Sequence, residues 1–346
     1  MNLTNAKLLH LTLHYVGNKI NDGKFTSTGD FLPLNEDLSE KLTRYYLNRF
    51  SETYERYRFF HASSLKFNEV YNFAKDIFKD PESLGRVSQS IAGHLFDQST
   101  HPNIKPGELH IVYFQQCEYN GKAVDALGIF KTETKSGYFE VNEKGKALSL
   151  GYREGLDAKK PEKGCLIFNV SGSEGYELCI LDSQGKHAET QYWTDHFLGI
   201  IQLSTEYAQT TQLLSLAKGY VSDGFSEDFD VNKKDQADML NRSIEYFKTH
   251  DSFSKKEFEK EVLYHPEVIK SYRKFEQQYE QFNDIEVPDS FDISPQAVKK
   301  QQRVFKSILK LDKNFHIYIH GNRDLIERGV EKDGRKFYKI YFDEEQ

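Results

Sequence analysis

Three residues in the middle of the chain carry the side chains that a metal-dependent nuclease needs. Asp125, Glu133 and Lys135 lie close together in the sequence. Many such nucleases place an aspartate and a Glu-x-Lys tripeptide on adjacent strands of a sheet. The carboxylates then hold a hard cation, and the lysine assists at the scissile phosphate. Here the three residues share one predicted strand and its end, so the pattern also fits a hairpin with solvated ends.

Other catalytic or metal-binding patterns are weaker. His94, His101 and His110 are separated by seven and nine positions, which fits no common metal site. The three cysteines form no CxxC pair, and each lies in a strand-like run, so we expect buried free thiols in a reducing cytosol. No lysine-containing phosphate loop is present. The sequence therefore assigns no catalytic residue and no metal ligand outside the nuclease alternative.

The clearest charge pattern lies near the C-terminus. Residues 296–340 carry twelve basic and five acidic side chains, whereas the whole chain has a formal net charge of −7. Residues 295–310 are predicted to form a helix, and an advance of ~100° per residue would place four of its cations on one face. A predicted C-terminal hairpin adds cations between aromatic residues, as nucleic-acid surfaces often do. The predicted DNA-binding residues are Lys299, Arg303, Lys306, Lys310, Arg335, Lys336 and Lys339. The helix also fits an ordinary amphipathic helix with a solvated basic face.

Turn signals organise the first half of the chain. Asn120-Gly121 is the favoured dipeptide of a tight hairpin, because both positions of that turn require positive φ. Ser136-Gly137 predicts a second reversal, and residues 143–163 are predicted to be a connection. The strands expected in one antiparallel sheet are 109–117, 123–132, 164–170 and 175–181, with a first strand at 6–16.

Segments with helical periodicity precede and follow these strands in the sequence. Helices are predicted at 38–50, at 65–78, from Pro81 onward, and then at 205–221, 233–249, 254–263, 266–282 and 295–310. The fold class is α+β: an antiparallel meander sheet with packed helices, then a helical segment, then a small C-terminal helix-plus-hairpin unit. The expected domains are residues 1–200, the helical region 201–290, and the basic C-terminal unit 291–346.

Composition is that of a globular protein. The 346 residues are 38% hydrophobic and 29% charged, enough for a sizeable core in two or three domains. The negative net charge argues against a surface that is basic all over, but not against a local basic patch. The N-terminal residues lack a signal-peptide pattern, and no apolar run approaches the ~18 residues of a membrane span. We therefore expect a soluble intracellular protein.

Several runs of the chain carry a family resemblance. They read STHPNIKPGELHIVYF, VDALGIFKTE, KGCLIFN, EGYELCILD and ERGVEKDGRKFYKIYFDEE. In order and spacing, from about residue 6 onward, the chain resembles the bacterial nucleoid-associated proteins of the NdpA type. The resemblance implies a cytoplasmic protein that associates with the nucleoid and binds double-stranded DNA, with no cofactor and no known catalytic residues.

The expected function is thus non-enzymatic DNA binding with weak sequence specificity. A metal-dependent nuclease using Asp125, Glu133 and Lys135 is one alternative. The other is a scaffold that binds another nucleoid protein, since a nucleoid protein can reach DNA through a partner. Other nucleoid proteins are accordingly candidate partners, a membrane is not expected, and a homodimer remains open.

Overall fold

The structure is a computed structural model that describes residues 1–21, 23–144, 147–156, 161–182, 191–283, 285–302, 307–311, 315–319, 325–342 and 344. The chain forms two compact units, Met1–Leu203 and Ser204–Gln346. The division into three regions at residues 200 and 290 stays a prediction. The class is α+β, as predicted from the sequence.

The first unit is built on an antiparallel sheet. Its helices are α1 (Glu36–Leu47), α2 (Glu69–Lys79) and α3 (Leu84–Gln98). Its strands are β1 (Lys7–Val16), β2 (Phe25–Ser27), β3 (Tyr57–Phe59), β4 (Gly107–Tyr119), β5 (Lys122–Thr132), β6 (Lys135–Lys144), β7 (Ala147–Leu156), β8 (Lys163–Phe168), β9 (Glu177–Asp182) and β10 (Ile200–Gln202). In the described residues, eight of these strands form one sheet in the order β10-β3-β9-β8-β5-β4-β1-β2.

The central strands are buried on both faces, which explains their nearly continuous apolar sequences. Along β4, Ile111 and Tyr113 belong to one core cluster with residues of α2 and α3. Val112 and Phe114 point the other way, into a cluster that includes Tyr46 of α1. The period-2 alternation of a strand therefore serves two cores, and helices cover both faces of the sheet.

The predicted strands 109–117, 123–132, 164–170 and 175–181 are confirmed as β4, β5, β8 and β9, although residues 169–170 and 175–176 lie outside the last two. Asn120 and Gly121 have φ of 49° and 74°, as the predicted hairpin requires. The reversal predicted at Ser136-Gly137 is wrong, because β6 runs straight through it and pairs with β7. The predicted connection 143–163 therefore contains strand β7, which the sequence analysis did not predict.

The second unit is mainly helical. Its helices are α4 (Glu206–Gly219), α5 (Phe225–Asp228), α6 (Lys233–Thr249), α7 (Lys255–Phe258), α8 (Pro266–Asn283) and α9 (Pro295–Gln301). Two-stranded antiparallel sheets are formed by β11 (Ser252–Ser254) with β12 (Ser290–Asp292), β13 (Ser307–Leu311) with β14 (Phe315–Ile319), and β15 (Ile326–Val330) with β16 (Lys336–Ile340). A separate apolar core joins the helices and includes Leu214, Tyr220, Phe247 and Tyr272.

Short non-α turns connect these elements. Three-residue 3₁₀ turns lie at Phe50–Glu52, Leu65–Phe67, Pro81–Ser83 and Gly172–Glu174, and π turns at Tyr192–Leu198, Tyr220–Gly224 and Glu259–Leu263. The first π turn places Trp193 and Phe197 in the core of the first unit. These buried aromatic side chains hold the turn against the first unit.

Candidate nucleic-acid interface

Helix α9 begins where the sequence predicts and presents lysines to solvent. The Ser294 side chain accepts a hydrogen bond from the backbone N–H of Ala297, which caps the helix. Ala297 and Val298 are buried against the second unit, whereas Lys299 and Lys300 are exposed. Lys299 is therefore accessible to a phosphate, and the Lys300 ammonium lies 5.7 Å from the centre of the Tyr207 ring.

The helix predicted over residues 295–310 is confirmed at Pro295–Gln301 and is wrong at residues 307–310. Residues 307–311 form strand β13, in which Leu309 pairs with Ile317 and Lys310 with His316. The cations have helical spacing, but the helix propensity of this segment is modest. Pairing with the nearby apolar strand β14 overrides that propensity. The sequence Ser-Ile-Leu-Lys-Leu is also typical of a strand.

The four cations predicted to share a helix face do not share one. Lys299 lies on α9 and Lys310 lies on β13. Arg303 and Lys306 lie outside the described residues. An α-helical arrangement of all four is excluded, because a strand at Lys310 breaks the 100° periodicity on which the prediction depended.

The second predicted group of cations lies on the hairpin of β15 and β16. Arg335 precedes β16, and its backbone carbonyl accepts a hydrogen bond from the N–H of Glu331 across the turn. Its guanidinium Nε donates to Asp333 Oδ2 at 2.7 Å, although 83% of the side chain remains exposed. An aspartate so close reduces the attraction of Arg335 for a second anion, but solvent still reaches the guanidinium.

Strand alternation separates the other two hairpin cations. Phe337 and Lys339 share one face of β16, and Lys336 lies on the opposite face. The Lys339 ammonium lies 4.6 Å from the centre of the Tyr341 ring. Its pKa is raised, first by a hydrogen bond to Tyr341 and the charge of that group, and further by Glu327. Both lysines are exposed, so each can meet a phosphate, but from different sides of the hairpin.

The structure keeps the candidate nuclease residues apart. Asp125 and Glu133 are eight positions apart along an extended segment, roughly 25 Å at ~3.3 Å per residue. Each has its own partner: Tyr113 donates to Asp125 Oδ2 at 2.7 Å, and Lys131 donates to Glu133 Oε1 at 3.0 Å. Lys135 pairs with Glu108 at 2.9 Å. Among the residues that the structure describes, no group of three or more His, Cys, Asp or Glu could hold a metal ion.

Sequence reasoning missed a buried charged cluster at one end of the sheet. Lys131 of β5 and Lys163 of β8 are paired directly across the ladder, and both are buried. Lys131 Nζ donates to the carbonyl of Lys105 at 2.6 Å, to Glu133 Oε1 at 3.0 Å and to Tyr192 Oη at 3.2 Å. Burial lowers the pKa of Lys131, and Glu133 opposes that shift. The available signal was a lysine inside the apolar run Gly-Ile-Phe-Lys-Thr.

The cysteines behave as predicted. Cys117, Cys165 and Cys179 are free and buried. Burial raises the pKa of Cys117 to about 12 and that of Cys179 to about 11, so both thiols stay protonated at neutral pH.

None of the helices in the described parts of the chain is long and apolar enough to cross a membrane.

The match to a family of nucleoid-associated proteins defines the class of this protein. The sequence pattern of the family described as nucleoid-associated protein YejK matches residues 12–335 of this chain, which is nearly its whole length. The chain belongs to this family. A search of curated proteins found no match.

Proposed function

We propose that this chain binds double-stranded DNA directly, with weak sequence specificity and without catalysing a reaction, in the cytoplasm at the nucleoid. The observation that carries the proposal is membership of a nucleoid-associated family, together with exposed cations in a segment that is strongly basic within an acidic chain. Phosphates are the natural ligand of such a segment, because each contact releases condensed counterions from the duplex.

The described part of the interface contains Lys299 on α9 and Arg335, Lys336 and Lys339 on the β15–β16 hairpin. All four are exposed. Arg303, Lys306 and Lys310 complete the proposed set. Lysine and arginine side chains on such exposed positions contact phosphates and not base edges, which makes weak sequence specificity the expected outcome.

A salt titration tests the proposal. The affinity of a fluorescein-labelled duplex is measured by anisotropy at several salt concentrations, for wild type and for the triple variant R335Q/K336Q/K339Q. Each phosphate contact contributes ~0.9 to the slope of log affinity against log salt. Because Lys336 and Lys339 lie on opposite sides of the hairpin, the variant should lose roughly 1 to 3 units of slope. Glutamine keeps much of the side-chain length and removes the charge.

A matched control separates a local contact from the effect of total charge. The variant K66Q/K75Q/K79Q removes the same charge from exposed positions at or near α2. This control should keep the wild-type slope, and circular dichroism should show both variants folded. Equal slopes in all three proteins would reject the hairpin contact. Absence of DNA binding by wild type, with capture of a purified nucleoid protein, would support the scaffold alternative.

A further inference from the structure

The hairpin of β15 and β16 has two faces that differ in chemistry. Directly opposed residues of an antiparallel pair share a face, so the register assigns each paired residue to one of them. We call one the mixed-charge face; it consists of Glu327 opposite Lys339 and Gly329 opposite Phe337. We call the other the basic face; it consists of Ile326 opposite Ile340, Arg328 opposite Tyr338, and Val330 opposite Lys336.

Backbone hydrogen bonds extend the pairing by one residue at each end of the hairpin. The N–H of Glu331 donates to the carbonyl of Arg335 at 2.8 Å, and the N–H of Tyr341 donates to the carbonyl of Leu325 at 2.7 Å. Strand alternation places both pairs on the mixed-charge face. Phe342, the next residue, therefore belongs to the basic face.

The acidic residues that the register places lie on one face only. Glu327 and Glu331 belong to the mixed-charge face, where each stands opposite a cation. Among the paired residues of β15 and β16, the basic face contains no aspartate and no glutamate. An anion that approaches the paired part of the basic face therefore meets cations without a neighbouring carboxylate on that face.

Side chains of the mixed-charge face are engaged with one another. The Tyr341 hydroxyl donates to Glu327 Oε2 at 2.8 Å, and the Lys339 ammonium lies 4.6 Å from the centre of the Tyr341 ring. The Phe337 ring lies over Gly329, where a Cβ atom would collide with it. This face is thus largely satisfied within the hairpin.

The basic face is open. Val330 is 62% exposed and Phe342 is 67% exposed. Lys336 is also exposed, and Tyr338 is half-buried. In the part of the chain that the structure describes, the side chains of Lys336, Tyr338 and Phe342 form no hydrogen bond, ion pair or ring contact. Exposed aromatic rings beside a free cation are typical of surfaces that bind single-stranded nucleic acid.

We propose that the basic face of this hairpin binds a single-stranded nucleic acid. Unpaired bases stack on Tyr338 and Phe342, and the Lys336 ammonium contacts a phosphate. In a duplex, neighbouring bases cover each other's faces, so the two rings gain stacking partners only from unpaired bases. This binding goes beyond the duplex binding proposed above and does not depend on it.

Charge supports a polynucleotide as the occupant. The chain has a formal net charge of −7, so most of its surface repels a polyanion. Contact is favourable where cations stand apart from carboxylates, as Lys336 does and Lys339, opposite Glu327, does not. Membership of a nucleoid-associated family also favours nucleic acid over a lipid surface or a protein.

The spacing of the two rings defines the form of the bound strand. Tyr338 and Phe342 are four residues apart, about 13 Å at ~3.3 Å per residue. Stacked bases follow one another at ~3.4 Å along a strand, so bases on the two rings belong to an extended strand. Oligothymidine, whose bases stack weakly on each other, should therefore bind more tightly than oligoadenosine.

The hairpin supplies a matched control, because each face carries one phenylalanine and one tyrosine. The affinity of fluorescein-labelled oligothymidine is measured by anisotropy for wild type, Y338L/F342L and F337L/Y341L. Loss of two stacking positions should weaken Y338L/F342L at least about tenfold. The control F337L/Y341L should stay within about twofold of wild type, and both variants should keep their duplex affinity. Equal weakening of the two variants overturns the proposal.

The two lysines form a second matched pair. Each phosphate contact on a single strand contributes ~0.7 to the slope of log affinity against log salt. K336Q should lose about this much, whereas K339Q should keep the wild-type slope. An unchanged slope in K336Q overturns the phosphate contact. Oligouridine of the same length, titrated in parallel, shows whether DNA or RNA binds more tightly.

Photocross-linking of wild type does not depend on the folding of any variant. An oligonucleotide that contains iodouracil is bound, irradiated, and mapped by mass spectrometry of the digested protein. Adducts should form at Tyr338 or Phe342, and adducts only at other residues overturn the proposal. Wild type that binds duplex but not oligothymidine overturns this inference alone, whereas the reverse result rejects only duplex binding. Binding to phosphatidylglycerol vesicles without affinity for oligothymidine would identify a lipid surface as the occupant instead.

Discussion

Lys131 and Lys163 lie directly opposite each other on β5 and β8, and the ammonium of each is 5.6 Å from the centre of the same Tyr192 ring. Both side chains are buried. Two cations at such a position would repel each other strongly without compensation. Glu133 compensates the charge of Lys131, which also donates to the Tyr192 hydroxyl. The ammonium of Lys163 lies near the same ring.

Removal of Lys131 should destabilise the first unit strongly. Lys131→Met leaves the Glu133 carboxylate buried without its cation, which costs about 3–5 kcal/mol in the free energy of unfolding. The double variant K131M/E133Q should recover much of this loss, because the opposite charges of Lys131 and Glu133 are removed together. The free energy of unfolding is measured by urea titration followed by the fluorescence of Trp193, which lies in the core of the first unit. The pair of Lys135 with Glu108 is the control: Lys135→Met should cost much less, because water screens the half-exposed lysine.

Acid should destabilise the protein through two buried histidines. His110 Nδ1 lies 2.8 Å from Tyr46 Oη, and burial lowers the pKa of His110 to about 4, as it does that of His14. The unfolded chain binds a proton near pH 6.5, whereas the folded state stays neutral. Stability is therefore complete above pH 6.5 and is lost as the pH falls towards 4, by about 3 kcal/mol for one such histidine.

The variant H110Q isolates this effect. It should unfold with a smaller loss of free energy between pH 6.5 and 4 than wild type, because one titrating group is gone and His14 remains. The measurement is a series of urea unfolding curves at fixed ionic strength. If the free energy of unfolding changed with pH equally in the two proteins, His110 would not be the cause of the acid sensitivity.

Asn68 should contribute more to stability than an ordinary helix cap. Its side-chain oxygen accepts from the N–H of Tyr71 at the start of α2, and its amide donates to the carbonyls of Leu198 and Gly199, each at 2.9 Å. Asn68→Ala removes a cap and leaves buried carbonyls without this donor, a loss of roughly 2–3 kcal/mol. The exposed cap of α1 is the control, and Asn35→Ala should cost about 1 kcal/mol. Equal costs would mean that the carbonyl contacts add nothing.

DNA sequence should matter little to affinity. A protein that reads base edges loses about 1–3 kcal/mol for each changed base pair, whereas phosphate contacts are the same in every duplex. Duplexes of equal length with shuffled sequences should therefore bind with affinities within about fivefold of each other, or about 1 kcal/mol. Competition titrations at one fixed salt concentration provide the comparison. A preferred sequence that binds a hundredfold tighter would contradict phosphate-only recognition.

Plasmid DNA should stay intact in the presence of this protein and magnesium. The separation of Asp125 from Glu133 along the strand leaves no shared cation position for the two carboxylates. Supercoiled plasmid is incubated with protein and magnesium and then resolved on an agarose gel beside a sample without protein. Nicking that disappears in Asp125→Asn and Glu133→Gln would restore the nuclease hypothesis.

Local signals in the sequence suffice for much of this fold. Asn120-Gly121 predicts its hairpin because both residues tolerate positive φ, and the apolar runs around it predict β4 and β5 because those strands are buried on both faces. The start of α9 follows from Ser294 and Pro295, a cap and a preferred first residue. The basic character of the C-terminal region is visible in the residue counts alone.

Tertiary pairing decided the rest. Lys310 lies on a strand because residues 315–319 pair with 307–311, and such a partner is invisible to the helical spacing of the cations. Ser136 and Gly137 continue a strand because β7 pairs with them, although the dipeptide alone favours a turn. The opposition of Lys131 and Lys163 depends on the register between β5 and β8, which joins residues more than thirty positions apart. The energies of these pairings arise between distant segments, so no local window of sequence contains them.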